Sequence, residues 1–225
     1  MAAPETFDSL YSHGFIRVAS AVPHVRPAEP AFNAERTLGL ARRASDDHAA
    51  LVLFPELGVT GYAIDDLLHQ QAVLASALGA LERIRAESVD LRPVIIVGVP
   101  LPIEGGLFNC AIIIHRGRLL GIVPKSYLPE YREYYEKRQF RAARDLVVAD
   151  VQLLGESVPV GVDLLFCCRD VPGFVLFTEI CEDFWAPIPV STYGALAGAS
   201  TLASPLTLGA SRQASLPSNK YGSWR

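Results

Sequence analysis

Three apolar runs in this chain each end on a residue type that can do chemistry, and this pattern restricts the fold more than any other feature. Leu51 to Phe54 leads into Pro55-Glu56, Leu119 to Val123 leads into Pro124-Lys125, and Gly173 to Phe177 leads into an acidic, turn-like segment that carries Cys181. Short, unbroken apolar runs read as strands buried on both faces. In a parallel-leaning sheet such strands end on one edge, which is where open α/β folds carry their sites. A cysteine at a strand exit is held rigidly by the strand yet exposed by the turn, so Cys181 is a candidate nucleophile. Taken singly, each residue has a plainer reading. Cys181 alone is a small buried thiol, Glu56 a surface carboxylate after proline, and Lys125 a solvated loop lysine.

The segments between these runs alternate between helix and strand patterns. Phe15 to Val22 reads as a first strand and Pro23 to Pro30 as a loop. From Ala34 to Asp47 the apolar positions Leu38, Leu40, Ala41 and Ala44 follow a helical period, with Asn33 placed to cap that helix. Ala49 to Phe54 then completes a β-α-β unit. A second helix is expected from about Val73 to Glu87, after Asp65 and Asp66 as caps, and a buried strand from Val94 to Val99. Phe108 to His115, the turn Arg116-Gly117-Arg118 and Leu119 to Val123 read as a hairpin, so the sheet acquires antiparallel strands. Tyr131 to Arg138 reads as one short helix, Leu164 to Phe166 and Gly173 to Thr178 as strands, Ser191 to Ala199 as a helix and Thr201 to Ala203 as a strand. Mixed strands flanked by helices fit an α/β fold with sheet packed on sheet.

Composition excludes several classes. With 225 residues, 50% hydrophobic and 20% charged, the chain is long and apolar enough for one globular domain. A net charge of −4 argues against nucleic acid as a main partner. There is no basic, then apolar, leader pattern at Met1 to Ser12 and no run of 18 apolar residues, so neither secretion nor membrane insertion is expected. The expected location is cytoplasmic. Cys110, Cys167, Cys168 and Cys181 lack metal-ligand spacing and are expected to be reduced thiols, with no metal site.

The motifs around the three strand ends resemble the nitrilase, or carbon–nitrogen hydrolase, superfamily. Within it, F-P-E-L-G-V-T-G-Y at 54 to 62, V-P-K-S-Y-L-P-E-Y-R-E-Y-Y-E at 123 to 136 and E-I-C-E-D-F-W at 179 to 185 are similar to the glutaminase domains of bacterial glutamine-dependent NAD synthetases. The likeness runs from about Tyr11 to about Leu208. It implies a nitrilase-like α-β-β-α sandwich with mixed sheets over residues 1–208, with the C-terminal part of the domain missing and a divergent polar tail at 209–225. After Ala203 the chain departs from the family pattern, running into Ser204-Pro205 where relatives carry Asn and Ser. No S-G-G-x-D-S loop for ATP pyrophosphate occurs, so no synthetase domain is expected in this chain.

The resemblance assigns Glu56, Lys125 and Cys181 as the catalytic set. It also implies substrate-binding roles for Tyr62, Tyr131, Glu133 and Glu182, with Glu133 as a second glutamate that orients the lysine or the substrate. The implied reaction is hydrolysis of the side-chain amide of glutamine through a Cys thioester. No cofactor is expected for the amidase step; ATP and Mg would belong to the missing synthetase domain. The implied partners are glutamine, a synthetase domain or chain that receives ammonia, and further copies of a full-length chain in a homo-oligomer. Two alternatives stay open: a free-standing amidase for another small carboxamide, and a non-catalytic fragment whose sheet edges are uncovered.

Overall fold

The computed structural model describes Phe7 and residues 9–206. The expected tail at 209–225, and the boundary before it, lie outside the described residues.

Two β-α-β crossovers open the chain. Strand β1 (Val18–Ser20), helix α1 (Pro30–Asp46) and strand β2 (Leu51–Leu53) form the first, and helix α2 (Gln71–Glu87) carries the chain on to β3 (Val94–Ile103). These three strands pair in parallel. The next two are added by hairpins: β4 (Gly106–His115) runs antiparallel to β3, and β5 (Arg118–Pro124) antiparallel to β4. The turns Glu104-Gly105 and Arg116-Gly117 have positive φ at both residues, 49° and 72° in the first and 48° and 78° in the second. Two-residue turns of this hand match the twist of the strands they join, and glycine takes the second position at no steric cost. The result is one five-stranded mixed sheet in the order β1-β2-β3-β4-β5.

The two faces of this sheet explain why its strands read as continuous apolar runs. Ile95, Val97 and Val99 of β3, with Cys110, Ile112 and Ile114 of β4, pack with Leu38 and Ala41 of α1 and Leu81 and Ile84 of α2. The alternate residues Leu51, Ile96, Ala111, Ile113 and Val123 pack on the other side with Phe174, Leu176, Ile180 and Ala203. Those partners come from or beside a second, three-stranded sheet made of β8 (Leu165–Cys167), β9 (Val175–Thr178) and β10 (Thr201–Ala203), in the order β10-β9-β8. On its far face, helix α4 (Val190–Leu196) brings Gly194 against the Phe177 ring, where a β-carbon would lie 2.5 Å from the ring. Helices, sheet, sheet and helix are therefore stacked as the α-β-β-α sandwich.

Several local expectations are corrected. Asn33 does not cap α1. It lies inside the helix, fully buried, and ties down the preceding loop: its Oδ1 accepts from Arg26 N–H at 2.8 Å and its Nδ2 donates to the carbonyls of Arg26 and Val59. The helix instead starts at Pro30, a position where the missing N–H costs nothing. Strand β1 is three residues long, matching the three residues of β2 that it pairs with, and Phe15 and Val22 lie exposed beyond the ladder. Asp65 and Asp66 cap nothing; they begin a 3-10 turn (Asp65–His69), with Asp65 accepting from Tyr135 Oη and Asp66 from Arg138. The helix expected over 131–138 is reduced to a 3-10 turn at Glu136–Arg138, because Arg132 sits at φ 57°, which an α-helix cannot contain. A further hairpin, β6 (Asp150–Leu153) and β7 (Glu156–Pro159), was not expected at all. Its signal in the sequence is the dipeptide Leu154-Gly155, another turn with positive φ at both residues.

One packing feature reaches toward the site. The backbone turn at Pro55 to Leu57 lies directly on Gly98 of β3, where a β-carbon would fall 2.2 Å from Leu57 N and 2.8 Å from the Pro55 carbonyl oxygen. Val59 N–H also donates to the Gly98 carbonyl at 3.2 Å. Gly98→Ala is expected to push this turn outward and to lower the unfolding free energy by about 3 kcal/mol, at the upper end of overpacking costs. A urea melt checks it; an unchanged midpoint would mean that the turn is not seated on β3.

Candidate active site

The ends of β2 and β5 place a carboxylate and an ammonium together below the surface. Glu56 follows β2 by three residues and is 2% exposed; Lys125 follows β5 directly and is 1% exposed. Lys125 Nζ donates to Glu56 Oε1 at 2.6 Å and to Glu136 Oε1 at 2.7 Å. Asn109 Nδ2, from β4, donates to the same Glu56 oxygen at 2.7 Å, and Tyr62 Oη donates to Glu136 Oε1 at 2.7 Å. The lysine loop is also pinned by backbone bonds, Lys125 N–H to the Asn109 carbonyl and Ala143 N–H to the Lys125 carbonyl, both 2.9 Å.

Two carboxylates facing one ammonium set the charges. Burial works against the Lys125 ammonium, but the charges of Glu56 and Glu136 outweigh it and hold the group well above the usual lysine range. Burial, followed by the charge of Glu56, pushes the Glu136 carboxyl up to about 6 despite the opposing pull of Lys125. Burial beside Glu136 raises the Tyr62 phenol, which therefore stays a hydrogen-bond donor. Removing one partner of a buried pair of this kind typically costs about 3 to 5 kcal/mol, because the other charge is left uncompensated.

Cys181 arrives from the other sheet. The chain leaves β9, passes Glu179 and Ile180, and turns at Cys181 with φ 46° and ψ −96° into the single helical turn α3 (Glu182–Trp185). A residue with a side chain holds such a backbone only where its surroundings impose it, at a cost of about 1 to 3 kcal/mol. Two contacts impose it here: Cys181 N–H donates to the Pro205 carbonyl at 3.0 Å, and Asp183 N–H donates back to the Ile180 carbonyl at 3.0 Å. Cys181 is half-buried and lies close enough to Lys125, Tyr62 and Tyr131 to interact with them electrostatically. Cys110 is a different kind of thiol, fully buried in the core, where desolvation raises it far above the range in which it could ionise. None of Cys110, Cys167, Cys168 and Cys181 is in a disulfide.

The remaining expected residues are distributed around this centre. Tyr62 touches it directly through Glu136. Tyr131 is exposed and donates to Glu182 Oε2 at 2.9 Å, on the cysteine side. Glu133 does not reach Lys125: the second carboxylate on the ammonium is Glu136, and Glu133 is exposed on a cleft of about 100 Å³ that it lines with Tyr62, Asp65, Tyr135 and Glu136. Sequence reasoning does not find Glu136, because Glu133 and Glu136 lie in the same motif at 123 to 136 and nothing local tells them apart. Asn109 gave no sequence signal beyond a polar residue in a strand otherwise apolar from Leu107 to Ile114. Asp183, buried and two residues past the cysteine, was also missed. It accepts N–H bonds from Ser126, Tyr127 and Ile180, and burial pushes its carboxyl up to about 7 against these bonds and the Lys125 charge.

The chain belongs to the carbon-nitrogen hydrolase family, whose model matches residues 17–202. It is similar to the glutamine-dependent NAD(+) synthetases of Mycobacterium tuberculosis, 49% identical over 207 residues, and of Mycobacterium leprae, 44% identical over 211 residues. In both cases the match takes in 90% of this chain and 30% of the relative, so the chain spans less than a third of the length of these curated relatives. Among solved structures, a glutamine-dependent NAD(+) synthetase from Cytophaga hutchinsonii superposes with a TM-score of 0.74 at 24% identity, over 88% of this chain and 32% of that one. An amidase from Nesterenkonia sp. superposes with a TM-score of 0.66 at 21% identity, over 88% and 68% of the two chains. At those identities the structures show the same fold.

The Glu136 shift carries a pH dependence. Its carboxyl keeps a proton to about 6 in the folded chain but only to the ordinary 4.5 when unfolded, so the folded state binds more protons between these values. Its contribution to stability is therefore present below pH 4.5 and is lost as pH rises to about 6. Glu136→Gln removes the titration. The difference in unfolding free energy is expected to move toward the variant by about 1 to 2 kcal/mol between pH 4.5 and 6.5 and to stay level above that. Denaturant melts of both proteins at several pH values check it, and a pH-independent difference would refute the assignment.

Proposed function

We propose that this chain is a glutamine amidohydrolase module, which cleaves the side-chain amide of glutamine to glutamate and ammonia through a thioester on Cys181. The observation that supports it most directly is the buried Glu56–Lys125 pair at 2.6 Å on one sheet edge, facing the strained cysteine turn of the other sheet. The two mycobacterial relatives, named as glutamine-dependent NAD(+) synthetases, support glutamine over other amides.

In this reading Glu56 takes the Cys181 thiol proton as the sulfur attacks the amide carbon. An ordinary thiol, with a pKa of about 8.5, is only a few per cent ionised at neutral pH, so a base beside it raises the reactive fraction. The oxyanion that forms meets the Lys125 ammonium, already charged and already desolvated, a contribution of about 3 kcal/mol to the transition state. The Cys181 N–H is engaged by Pro205, so the second donor in this reading is the next amide, Glu182 N–H. Collapse of the intermediate breaks the carbon–nitrogen bond, and the proton held by Glu56 leaves with ammonia. A water molecule, deprotonated by the same carboxylate, then attacks the thioester carbon, and the thiolate departs to regain its proton. In this reading Glu133 and Glu182 are the carboxylates that meet the substrate's α-ammonium, and Tyr62 and Tyr131 contact the bound glutamine. The amidase step uses no cofactor in this scheme. ATP and Mg belong to a synthetase domain or chain that takes up the ammonia for NAD+ synthesis, and a cytoplasmic homo-oligomer is the setting we propose for it.

The reading predicts that Cys181→Ala abolishes ammonia release from glutamine in a coupled dehydrogenase assay while leaving the thermal melt close to wild type. Persistent release would move the nucleophile elsewhere. A panel of small carboxamides run beside glutamine separates a glutaminase from a general amidase, since only glutamine presents both an α-ammonium and an α-carboxylate.

For the oxyanion role, Lys125→Ala is expected to slow acylation by about 10² or more, and Lys125→Arg to fail to restore it, because a planar guanidinium cannot sit where a compact ammonium fits between two carboxylates. Single-turnover thioester formation measures both. Full recovery in the arginine variant would show that Lys125 acts only as a distant charge.

A further inference from the structure

We propose that Asp183 is the positioning residue that locks the turn carrying Cys181 onto the loop carrying Lys125, and so sets the sulfur against the ammonium. The proposal rests on the reading of Cys181 and Lys125 as a working pair, but not on which amide they cleave.

The need for such a device follows from the architecture. Lys125 belongs to the five-stranded sheet, where its backbone is bonded to Asn109 and Ala143 and its ammonium to Glu56 and Glu136. Cys181 belongs to the three-stranded sheet. The two sheets meet through apolar side chains such as Ile113, Val123, Leu176 and Ile180. Apolar packing sets the distance between layers, but it is non-directional and tolerates small slides of one sheet on the other. A slide of about 1 Å can cost a reaction as much as 10²-fold. Directional bonds between the two sheet edges remove that freedom.

Asp183 supplies them. Its Oδ1 accepts from Tyr127 N–H at 2.7 Å and Ser126 N–H at 3.0 Å, the two residues immediately after Lys125. Its Oδ2 accepts from Ile180 N–H at 3.1 Å, the residue immediately before Cys181, with a second contact from Ser126 at 3.3 Å. The carboxylate is 1% exposed, so these bonds are made away from competing water. Every partner is an N–H donor, and they lie on both oxygens. Only an ionised carboxylate accepts on both arms; an asparagine of the same shape turns an NH₂ toward one of the two loops and leaves a buried N–H unpaired there.

Asp183→Asn is therefore the test, with the melt and the steady-state kinetics run above pH 8, where the wild-type carboxyl is ionised. Alkylation of Cys181 by iodoacetamide is followed by mass spectrometry of its peptide across a pH series, beside steady-state glutamine hydrolysis and a thermal melt. The expected result is a cooperative melt, an alkylation midpoint raised by about one pH unit through weaker pairing of the thiolate with Lys125, a kcat at least about tenfold lower, and KM within about twofold. An unchanged alkylation midpoint, whether or not kcat falls, overturns the proposal, because the sulfur then keeps its setting without the bridge. Should the asparagine variant fail to melt cooperatively, Asp183→Ser, which is smaller and retains one acceptor, is held to the same criteria. If the wild-type protein releases no ammonia from glutamine, the proposed function fails, yet the alkylation comparison still decides the role of Asp183.

Discussion

An ammonium group held out of water between two carboxylates is the interaction on which this site depends. Lys125 is almost wholly buried, and its charge survives only because Glu56 and Glu136 each place an oxygen within 2.7 Å of Nζ. The arrangement is costly to assemble and does little for stability by itself, since desolvating three ionised groups offsets most of their attraction. What it supplies is a positive charge held at a fixed point out of water. Tyr62 and Asn109 complete it by satisfying a second contact on each carboxylate.

The rest of the fold can be understood as the support for that point. The five-stranded sheet presents Glu56 and Lys125 because β2 and β5 end on the same edge, and β4 lies between them to contribute Asn109. Gly98 lets the turn bearing Glu56 settle directly onto β3. The second sheet brings Cys181 from the opposite layer and turns it sharply, in a backbone conformation paid for by hydrogen bonds on either side. Asp183 and the Tyr131–Glu182 bond then join the edges of the two layers. The Cys181 sulfur and the Lys125 ammonium thus arrive on separate layers, and the hydrogen bonds to Asp183 tie together the segments that carry them.

The legible and illegible parts of the sequence differ in a consistent way. Strands β2, β3, β5 and β9 were readable because both their faces are buried, which leaves unbroken apolar runs, and β10 was read with the bounds it has. Strand β1 was read too long, since its flanks are apolar in sequence but exposed in the fold, and β6 with β7 was overlooked because short strands with exposed alternate residues have little pattern. Asn33 looked like a cap and proved to be a buried tie to a loop, a role that depends on Val59, 26 residues away.

The sequence by itself determined where the apolar strands end, and hence that Glu56, Lys125 and Cys181 stand at strand exits, because burial on both faces writes itself into consecutive residues. It also carried motifs specific enough to assign the family. Which carboxylate meets Lys125 was decided only by tertiary structure. Glu133 and Glu136 share one polar segment and look alike in sequence, but the positive φ at Arg132 breaks the helix there, and a hydrogen bond from Tyr62, 74 positions earlier, holds Glu136 at the ammonium while Glu133 stays in solvent. The role of Asp183 is of the same kind: it rests on backbone N–H groups 56 and 57 positions away, which leave no trace in residue identity because every non-proline residue has one.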